Sequence, residues 1–487
     1  MFDIFGGSND PMAKVDTAWL RMERPTNLMM ITGVMLFDGQ LDVSKLRELI
    51  QERFLKFKRF RQKAVDRPSG AHWENDVDFD IEYHVRLTAL PGDADKPQLL
   101  KLASHLASSP LDPARPLWQF QVVENYQGGT AVITRIHHCY ADGIALIQVL
   151  LSMTDTVRNP RRLPDPREAR LPHLRTGVVQ RLLNPARDGL DAAVRLGMKA
   201  AGEVASMVKN PARAAGYVKE GSEIAAELAN AILLSDDPKT RFRGRLGPRK
   251  TVAWCEPIPL HDVKAVARAT GCKVNDVLIA AVCGAIRGYM LNKGDSVDGL
   301  DIRATVPVNL RPLEHAKELG NQFGLVFLGM PIGIENPIKR LYEVNRRMEE
   351  LKSSKQATVS FGLLAALGMG PAAIQAPALE MLSRKATTVL TNVPGPQRDL
   401  YLAGTRMKQI MFWVPQTGSI GMGISILSYN WKVQFGLITD VRLVPDPQSI
   451  IDRFEPEFEK LVLACLMGTG DARPDASLAE HWLQDTE

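Results

Sequence analysis

The sequence predicts an α/β fold, because strand-like and helix-like segments alternate in both halves of the chain. Residues 131–136 form an apolar, β-branched run of the kind found in buried strands. After a short polar cluster, Ile144, Ile147 and Leu151 follow at the spacing of a helix. The chain has 487 residues, of which 45% are hydrophobic, so it can bury more than one core. This length predicts roughly two to four domains.

The polar cluster between that strand and that helix is the first candidate site, and it reads HHCYADG over residues 137–143. Histidine titrates near neutrality, so it can take a proton and return it. Asp142 can fix the loop by pairing with a cation or by capping backbone N–H groups. Gly143 permits a turn or a close approach that a Cβ would block. A buried structural histidine and a metal site are the alternatives, although no third ligand has a recognisable spacing.

No serine or cysteine nucleophile stands in a G-x-S-x-G elbow. This favours direct attack by a substrate hydroxyl, with histidine as the base, over an acyl-enzyme. The sequence also contains no phosphate-binding glycine loop, no zinc spacing and no internal repeat.

The pattern H-H-x-x-x-D-G resembles the active-site signature of the acyl-CoA-dependent acyltransferase superfamily. From about residue 8 to the C-terminus, the chain is similar to the bacterial wax ester synthase/diacylglycerol acyltransferase family. The resemblance implies two chloramphenicol-acetyltransferase-like α/β domains, with the active site in a channel between them and a helical linker joining them. Besides the signature, the matching segments are residues 116–118 (PLW), 275–276 (ND), 307–312 (PVNLRP), 318–324 (ELGNQFG) and 387–396 (TTVLTNVPGP).

The resemblance also implies a role for each site residue. His138, the second histidine of the signature, is expected to be the general base, and His137 to support the loop. Asp142 is expected to hold the loop through an ion pair. Asn275 is expected to stabilise the oxyanion, although a helix N-cap would equally explain it. The Lys or Arg residues that bind CoA stay unknown.

The implied function is an acyl-CoA-dependent O-acyltransferase that esterifies diacylglycerol or long-chain fatty alcohols to triacylglycerol or wax esters. Acyl-CoA is the co-substrate, and we expect no other cofactor, no metal and no nucleic-acid partner. One alternative is a condensation-type acyltransferase that uses carrier-bound donors. Another is a non-catalytic lipid-binding or droplet-surface protein.

We divide the chain into an N-terminal acyltransferase domain (1–155), a basic helical linker (156–248) and a C-terminal acyltransferase domain (249–487). Residues 161–250 carry 18 Lys and Arg against 10 Asp and Glu, while the whole chain has a net charge of only +5. An apolar stripe over residues 190–208, with Arg187, Arg195 and Lys199 beside it, fits a basic amphipathic helix. Such a helix can lie on an anionic membrane or pack on the protein.

Cysteine usage and the N-terminus suggest where the protein acts. The five cysteines are scattered and none forms a C-x-x-C, which favours a reducing compartment over disulfides or structural zinc. The first residues show no secretory signal. We therefore expect a cytoplasmic protein, peripheral at the inner membrane face or at a lipid droplet.

Hydrophobic periodicity predicts the remaining elements. Residues 356–379 carry no charge, but glycines and prolines interrupt them, so we predict two short buried helices beside an acyl-chain tunnel rather than a membrane span. Three strands at 409–414, 419–428 and 432–439 are predicted to close a sheet of the second half. The other predicted strands are 31–37, 73–85, 119–124, 251–258, 301–306 and 325–330, and the other helices are 12–23, 42–57, 94–110, 261–269, 274–289, 337–353 and 446–464.

Overall fold

A computed structural model describes residues 10–68, 70–159, 234–310, 320–354, 356–357, 360–361, 372–467 and 474. The predicted linker helices and the apolar stripe of residues 190–208 lie outside this range. The division of the chain into domains at residues 155 and 248 therefore stays a prediction.

The N-terminal half contains a large sheet with helices and a small three-stranded sheet beside it. Its strands are β1 (Asp10–Pro11), β2 (Met30–Phe37), β3 (Gln62–Arg67), β4 (Gly70–Asn75), β5 (Val85–Thr88), β6 (Trp118–Tyr126) and β7 (Gly129–His137). Its helices are α1 (Lys14–Met22), α2 (Val43–Leu49), α3 (Ile81–His84), α4 (Lys96–Ala107) and α5 (Gly143–Met153), with a π-helical turn at Ile50–Phe54 and a 3-10 turn at Lys58–Arg61.

The predicted strand over residues 73–85 is wrong. Strand β4 pairs with β3 and β1 in the small sheet, and only β5 joins the large one. Between them lies α3, which starts because Asp80 Oδ1 accepts a hydrogen bond from Glu82 N at 2.9 Å. The alternation of apolar and polar residues in this segment belongs to two short strands with a helical turn between them.

The C-terminal half supplies the second large sheet and a helical layer. Its strands are β8 (Lys250–Trp254), β9 (Ile258–Pro259), β10 (Asp301–Asn309), β11 (Phe323–Pro331), β12 (Thr388–Pro394), β13 (Tyr401–Leu402), β14 (Thr405–Trp413), β15 (Met422–Tyr429) and β16 (Lys432–Asp440). Its helices are α6 (Leu260–Thr270), α7 (Val274–Asn292), α8 (Pro337–Ser353), α9 (Ala372–Ser383), α10 (Gln448–Ile451) and α11 (Phe454–Met467).

Strand β14 crosses from the C-terminal half into the N-terminal sheet. It pairs antiparallel with β2, so that sheet has the order β13-β14-β2-β7-β6-β5. The prediction that all three late strands close a sheet of the second half is correct for β15 and β16 and wrong for β14. Local periodicity identifies a strand but does not identify its partner. Trp413 of β14 packs against Trp254 of β8, with ring centroids 5.7 Å apart, so β14 also joins the two sheets.

The C-terminal sheet has the order β11-β10-β12-β15-β16-β8, and β9 also pairs with β16. Its edge strand β11 would otherwise present free N–H groups. Leu325 N donates to Ser360 Oγ at 2.6 Å, and Phe327 N donates to Gln356 Oε1 at 3.1 Å. Side chains from the uncharged segment therefore cover this edge.

The uncharged segment is helical where it is described. Helix α9 covers its second part, continues through Pro377, and packs against α1 with Leu379 buried. Residues 362–371 lie outside the described range, so the tunnel predicted here stays a prediction.

Helix α7 forms the centre of the C-terminal core. Among the described helices, it alone is long and apolar enough to cross a membrane, but 78% of its apolar window is buried in the fold. It packs against α6, α8 and α11. These contacts are those of a core helix that is apolar on all sides.

Candidate active site

A cavity of about 1000 Å³ lies between the two halves of the chain. Three of the four predicted site residues line it: His138, Asp142 and Asn275. His137 does not. The N-terminal half also contributes Trp19, Gly143, Ile147 and Gln148, while the C-terminal half contributes residues of α6, α7, β10, β11 and β12 and the turn at 395–398.

Both halves hold the turn between β7 and α5. His138 N donates to Met29 O at 2.7 Å, which extends the β2–β7 pairing by one residue. From the C-terminal half, Asn321 Nδ2 donates to the His138 carbonyl at 2.9 Å. Arg59 Nη1 donates to the Tyr140 carbonyl at 3.2 Å. Three separate segments therefore hold the backbone of this turn, two of them at His138 and one at Tyr140.

The imidazole of His138 lies at the seam between the halves. Trp19 of α1 stacks on it with ring centroids 4.2 Å apart, and Phe323 of β11 lies 5.7 Å away. Its Nδ1 is buried without a hydrogen-bond partner among the described residues, which leaves Nε2 as the nitrogen that can meet a ligand.

Burial governs the protonation of this ring. It lowers the pKa of His138 to about 4, and the charge of His137 adds to the shift, while the His138 carbonyl and Asn321 oppose it. The imidazole is therefore neutral at pH 7, which is the form that can accept a proton.

His137 is buried, and other groups contact both of its ring nitrogens. Nε2 lies 3.0 Å from Glu23 Oε2, and Nδ1 accepts a hydrogen bond from Cys139 N at 3.1 Å. Burial alone would raise the pKa of Glu23, but the hydrogen bond and charge of His137 outweigh it and keep that pKa below its usual value. Neither nitrogen is directed to the cavity as a free group.

Asp142 caps helix α5. Its Oδ1 accepts from Ala145 N at 2.8 Å, and its Oδ2 accepts from Gln322 N at 3.2 Å. Of the two roles that the sequence allowed, the structure describes the capping of backbone N–H groups. The predicted ion pair stays a prediction.

The sequence allowed two roles for Gly143, a backbone turn or a close approach, and the structure contradicts the close approach. The φ of Gly143 lies outside the left-handed region, and a Cβ added to it would meet no described atom within 4 Å. The predicted close approach is therefore wrong. Because Gly143 borders the cavity, its missing side chain leaves space there for a ligand.

Asn275 lines the cavity, but it is not the N-cap of α7. Lys273 occupies that position, and Asp276 Oδ2 accepts a hydrogen bond from Lys273 N at 2.9 Å. The interpretation of Asn275 as the N-cap is therefore wrong, because the helix already begins at Val274 and its N-cap is Lys273. Asn275 Oδ1 instead accepts a hydrogen bond from Asn392 Nδ2 at 2.7 Å. This contact uses the amide oxygen of Asn275, and its N–H₂ group takes no part in it.

A second set of residues, to which the sequence assigned no role, supports the site. Asp16 of α1 is buried, and its Oδ1 accepts from Asn321 N at 3.1 Å and from Asn321 Nδ2 at 2.8 Å. Arg59 Nη1 lies 3.4 Å from Asp16 Oδ2. The same Asn321 amide holds the His138 carbonyl, so Asp16 and Asn321 connect the N-terminal helix to the turn between β7 and α5.

One signal in the sequence could have identified this network. Asp16 and Trp19 stand three residues apart, on the face of α1 that also carries the buried Val15 and Met22. An acidic side chain on the buried face of a helix requires a polar partner elsewhere in the fold. The sequence alone does not identify Asn321 as that partner.

The described residues do not supply a set of ligands for the metal site that the sequence left as an alternative. Within the part of the chain that the structure describes, no group of three or more His, Cys, Asp and Glu side chains lies close enough to hold a metal ion. His137, His138 and Asp142 do not form such a group.

Sequence comparisons identify relatives of this chain. The family model of the wax ester synthase/diacylglycerol acyltransferase catalytic domain matches residues 12–278, and that of the WS/DGAT C-terminal domain matches residues 319–462. A probable diacylglycerol O-acyltransferase of Mycobacterium tuberculosis is 27% identical over 421 residues, which cover 85% of this chain and 86% of that protein. A putative diacylglycerol O-acyltransferase of the same species is 27% identical over 96% of this chain and 92% of its own length.

Solved structures share the fold. The wax ester synthase/diacylglycerol acyltransferase of Marinobacter aquaeolei VT8 superposes with a TM-score of 0.66 at 22% identity, covering 94% of this chain and all of that one. The first condensation domain of the calcium-dependent antibiotic synthetase superposes with a TM-score of 0.58 at 14% identity, covering 95% and 97%. The two α/β sheets with a site between them are therefore the architecture predicted from the sequence. From the family models and the relatives together, we conclude that this chain belongs to the wax ester synthase/diacylglycerol acyltransferase family and is an O-acyltransferase.

Proposed function

We propose that the chain transfers a long acyl group from acyl-CoA to the hydroxyl of diacylglycerol or of a long-chain fatty alcohol, with His138 as the general base. One observation carries this proposal: the neutral imidazole of His138 borders a cavity between the two halves, with Nδ1 buried. The cavity volume lies at the upper end of the range for small-molecule sites.

The proposed reaction is a direct transfer. The acceptor hydroxyl gives its proton to His138 Nε2 while its oxygen attacks the thioester carbonyl carbon, which forms a tetrahedral oxyanion. The C–S bond then breaks, and the imidazolium returns the proton to the sulfur, leaving an ester and free CoA. Because burial disfavours the imidazolium, its proton is readily returned. These reaction steps require no further cofactor and no metal.

The experiment that tests the function supplies palmitoyl-CoA with either hexadecanol or dipalmitoylglycerol and measures both thiol release and ester formation. We expect one ester to form for each thiol released. Thiol release without ester would contradict the transfer. Use of a carrier-bound palmitoyl donor, with no turnover of palmitoyl-CoA, would favour the condensation-type alternative. The absence of turnover with every donor would favour a lipid-binding protein.

Asn275 is proposed to donate its amide N–H to the oxyanion. The Asn275→Ala variant should lower kcat about 100-fold, because a lost oxyanion donor removes stabilisation from the transition state alone. The KM for palmitoyl-CoA should stay close to that of the wild type. Steady-state kinetics measure both quantities, with Asn292→Ala as the control, because this exposed amide at the end of α7 lies outside the cavity. A raised KM with unchanged kcat would assign Asn275 to ground-state binding instead.

We further propose that residues 176–234 bind an anionic membrane or droplet surface on the cytoplasmic side. The surplus of positive charge over the wider segment 161–250, the basic residues beside the apolar stripe and the lipid nature of the proposed substrates support this. Neutralising Arg187, Arg195 and Lys199 together should weaken the affinity for phosphatidylglycerol vesicles, measured by sedimentation, about 100-fold, since each basic residue contributes about 1 kcal/mol. Neutralising Lys45, Lys56 and Lys101 is the matched control. Equal binding by both triple variants would refute the proposal.

A further inference from the structure

An exposed tryptophan stands beside the mouth of the cavity in a strained backbone conformation. Trp431 and Asn430 form the turn between β15 and β16, with φ values of +62° and +47°. Glycine is the usual second residue of such a turn, and a bulky residue with positive φ is an outlier. The Trp431 side chain is nevertheless 42% exposed. Neither burial in the core nor turn preference explains an indole at this position.

The surrounding structure fixes this turn firmly. Trp431 N donates to Gln397 Oε1 at 2.6 Å, and Leu260 N donates to the Trp431 carbonyl at 2.8 Å. His261 stacks on the indole with ring centroids 4.8 Å apart, and Lys264 Nζ lies 4.7 Å from the ring centroid. His261 and Lys264 lie three residues apart on α6, so they contact the ring from one helix face. The indole is thus held rigidly while part of its surface stays open to solvent.

Cations without acidic partners line the cavity on the side of Lys264, which contacts this indole. Lys264, Arg268 and Arg398 all line the cavity, and the last two are exposed, which places them at its mouth. In the described part of the chain, none of the three forms an ion pair. A fourth lining cation, Lys273, is different because Glu349 pairs with it.

The carboxylate of Asp399 does not neutralise these three cations. Asp399 follows Arg398 in the chain, but its Oδ1 accepts hydrogen bonds from Arg406 Nε at 3.0 Å and from Asn430 Nδ2 at 2.7 Å. Three uncompensated cations beside an open aromatic ring form a surface suited to an anion that carries a planar base.

Building on the proposed function, we propose that Trp431, Lys264, Arg268 and Arg398 bind the nucleotide part of the acyl-CoA donor. The adenine stacks on the open part of the indole, and the phosphates lie on the three cations. The pantetheine chain then enters the cavity toward His138. The strain at Trp431 is retained because this turn positions the ring beside the mouth.

A comparison of two donors tests this proposal. Palmitoyl-CoA carries the nucleotide, whereas the palmitoyl thioester of N-acetylcysteamine lacks it. We expect Trp431→Gly and Arg268→Gln each to raise KM for palmitoyl-CoA about tenfold, the usual scale for a lost base stack or a charged contact. Neither variant should change KM for the short thioester. Lys56→Gln, which removes an exposed charge outside the cavity, should change neither.

Glycine suits the positive φ at position 431, so Trp431→Gly should keep its melting temperature and still report on the ring. An equal loss with both donors, or no loss with palmitoyl-CoA, would overturn the assignment. If the wild type uses neither donor, the proposed function fails, and titration of CoA itself into the wild type and both variants still tests the surface. Weaker CoA binding in the variants supports it and equal binding refutes it. Loss of binding to phosphatidylglycerol vesicles, with CoA binding intact, would assign the cations to lipid headgroups and also refute it.

Discussion

Replacing His138 with alanine is expected to lower kcat for ester formation about 1000-fold, the middle of the range for a lost general base. The buried, neutral imidazole stands in the cavity, and among the residues that the structure describes no other histidine lines it. The KM for palmitoyl-CoA should change little, because the ring takes its proton only as the reaction proceeds. Thiol release from palmitoyl-CoA in the presence of hexadecanol measures the loss.

The control for this variant is His105→Ala, which removes an exposed histidine of α4 outside the cavity. Its kcat should match the wild type. Full activity of His138→Ala would refute the assignment of the base. Both variants should show the same melting temperature to within a few degrees, so that the loss reflects chemistry and not unfolding.

The Asp16→Ala variant is expected to destabilise the fold by about 3 kcal/mol, as expected when one partner of a buried charged network is removed. Asn321 would lose the acceptor of two hydrogen bonds, and Arg59 would lose its counter-charge. Because Asn321 also holds the His138 carbonyl, kcat should fall by up to about 100-fold with KM unchanged. Urea unfolding and steady-state kinetics measure the two effects. Wild-type stability in this variant would show that the network contributes nothing.

The contribution of Asp16 to the stability of the fold is expected to depend on pH. Burial raises the pKa of Asp16 to about 6, although Arg59 and Asn321 oppose the shift. The folded state therefore keeps a proton that the unfolded state releases, so this contribution to stability is present below about pH 4 and is lost as pH rises through about 6. His138 acts with the opposite sign, because its pKa is lowered. The difference between wild type and Asp16→Asn isolates the Asp16 contribution, and an equal pH dependence in both would contradict it.

The turn between β7 and α5 could be predicted from the sequence because its signal is local. A β-branched run followed by helical spacing defines both the strand and the helix, and the polar cluster must lie between them. The limits predicted for the helix at 337–353 also agree with α8, since an Asn336 cap and a charged face mark it clearly.

Partnerships across the chain could not be predicted in the same way. The contacts of Asp16 with Asn321, and of His138 with Phe323, join residues that lie far apart in sequence. Strand β14 has the same kind of periodicity as β15, yet it joins a different sheet. Asn275 was predicted as a possible cap because asparagine favours that position, but the capping contact comes from its neighbour Asp276. In each case the residue type indicated a need for a partner, and the tertiary fold decided which partner met it.

The most direct test of the central claim is a crystal structure of the chain with a non-hydrolysable thioether analogue of palmitoyl-CoA. We expect the carbon that replaces the thioester carbonyl to lie in the cavity between the two sheets, with space for one acceptor hydroxyl between this carbon and His138 Nε2. An analogue whose reacting end lies outside that cavity, or whose path to His138 is blocked by Trp19 and Phe323, would contradict the account.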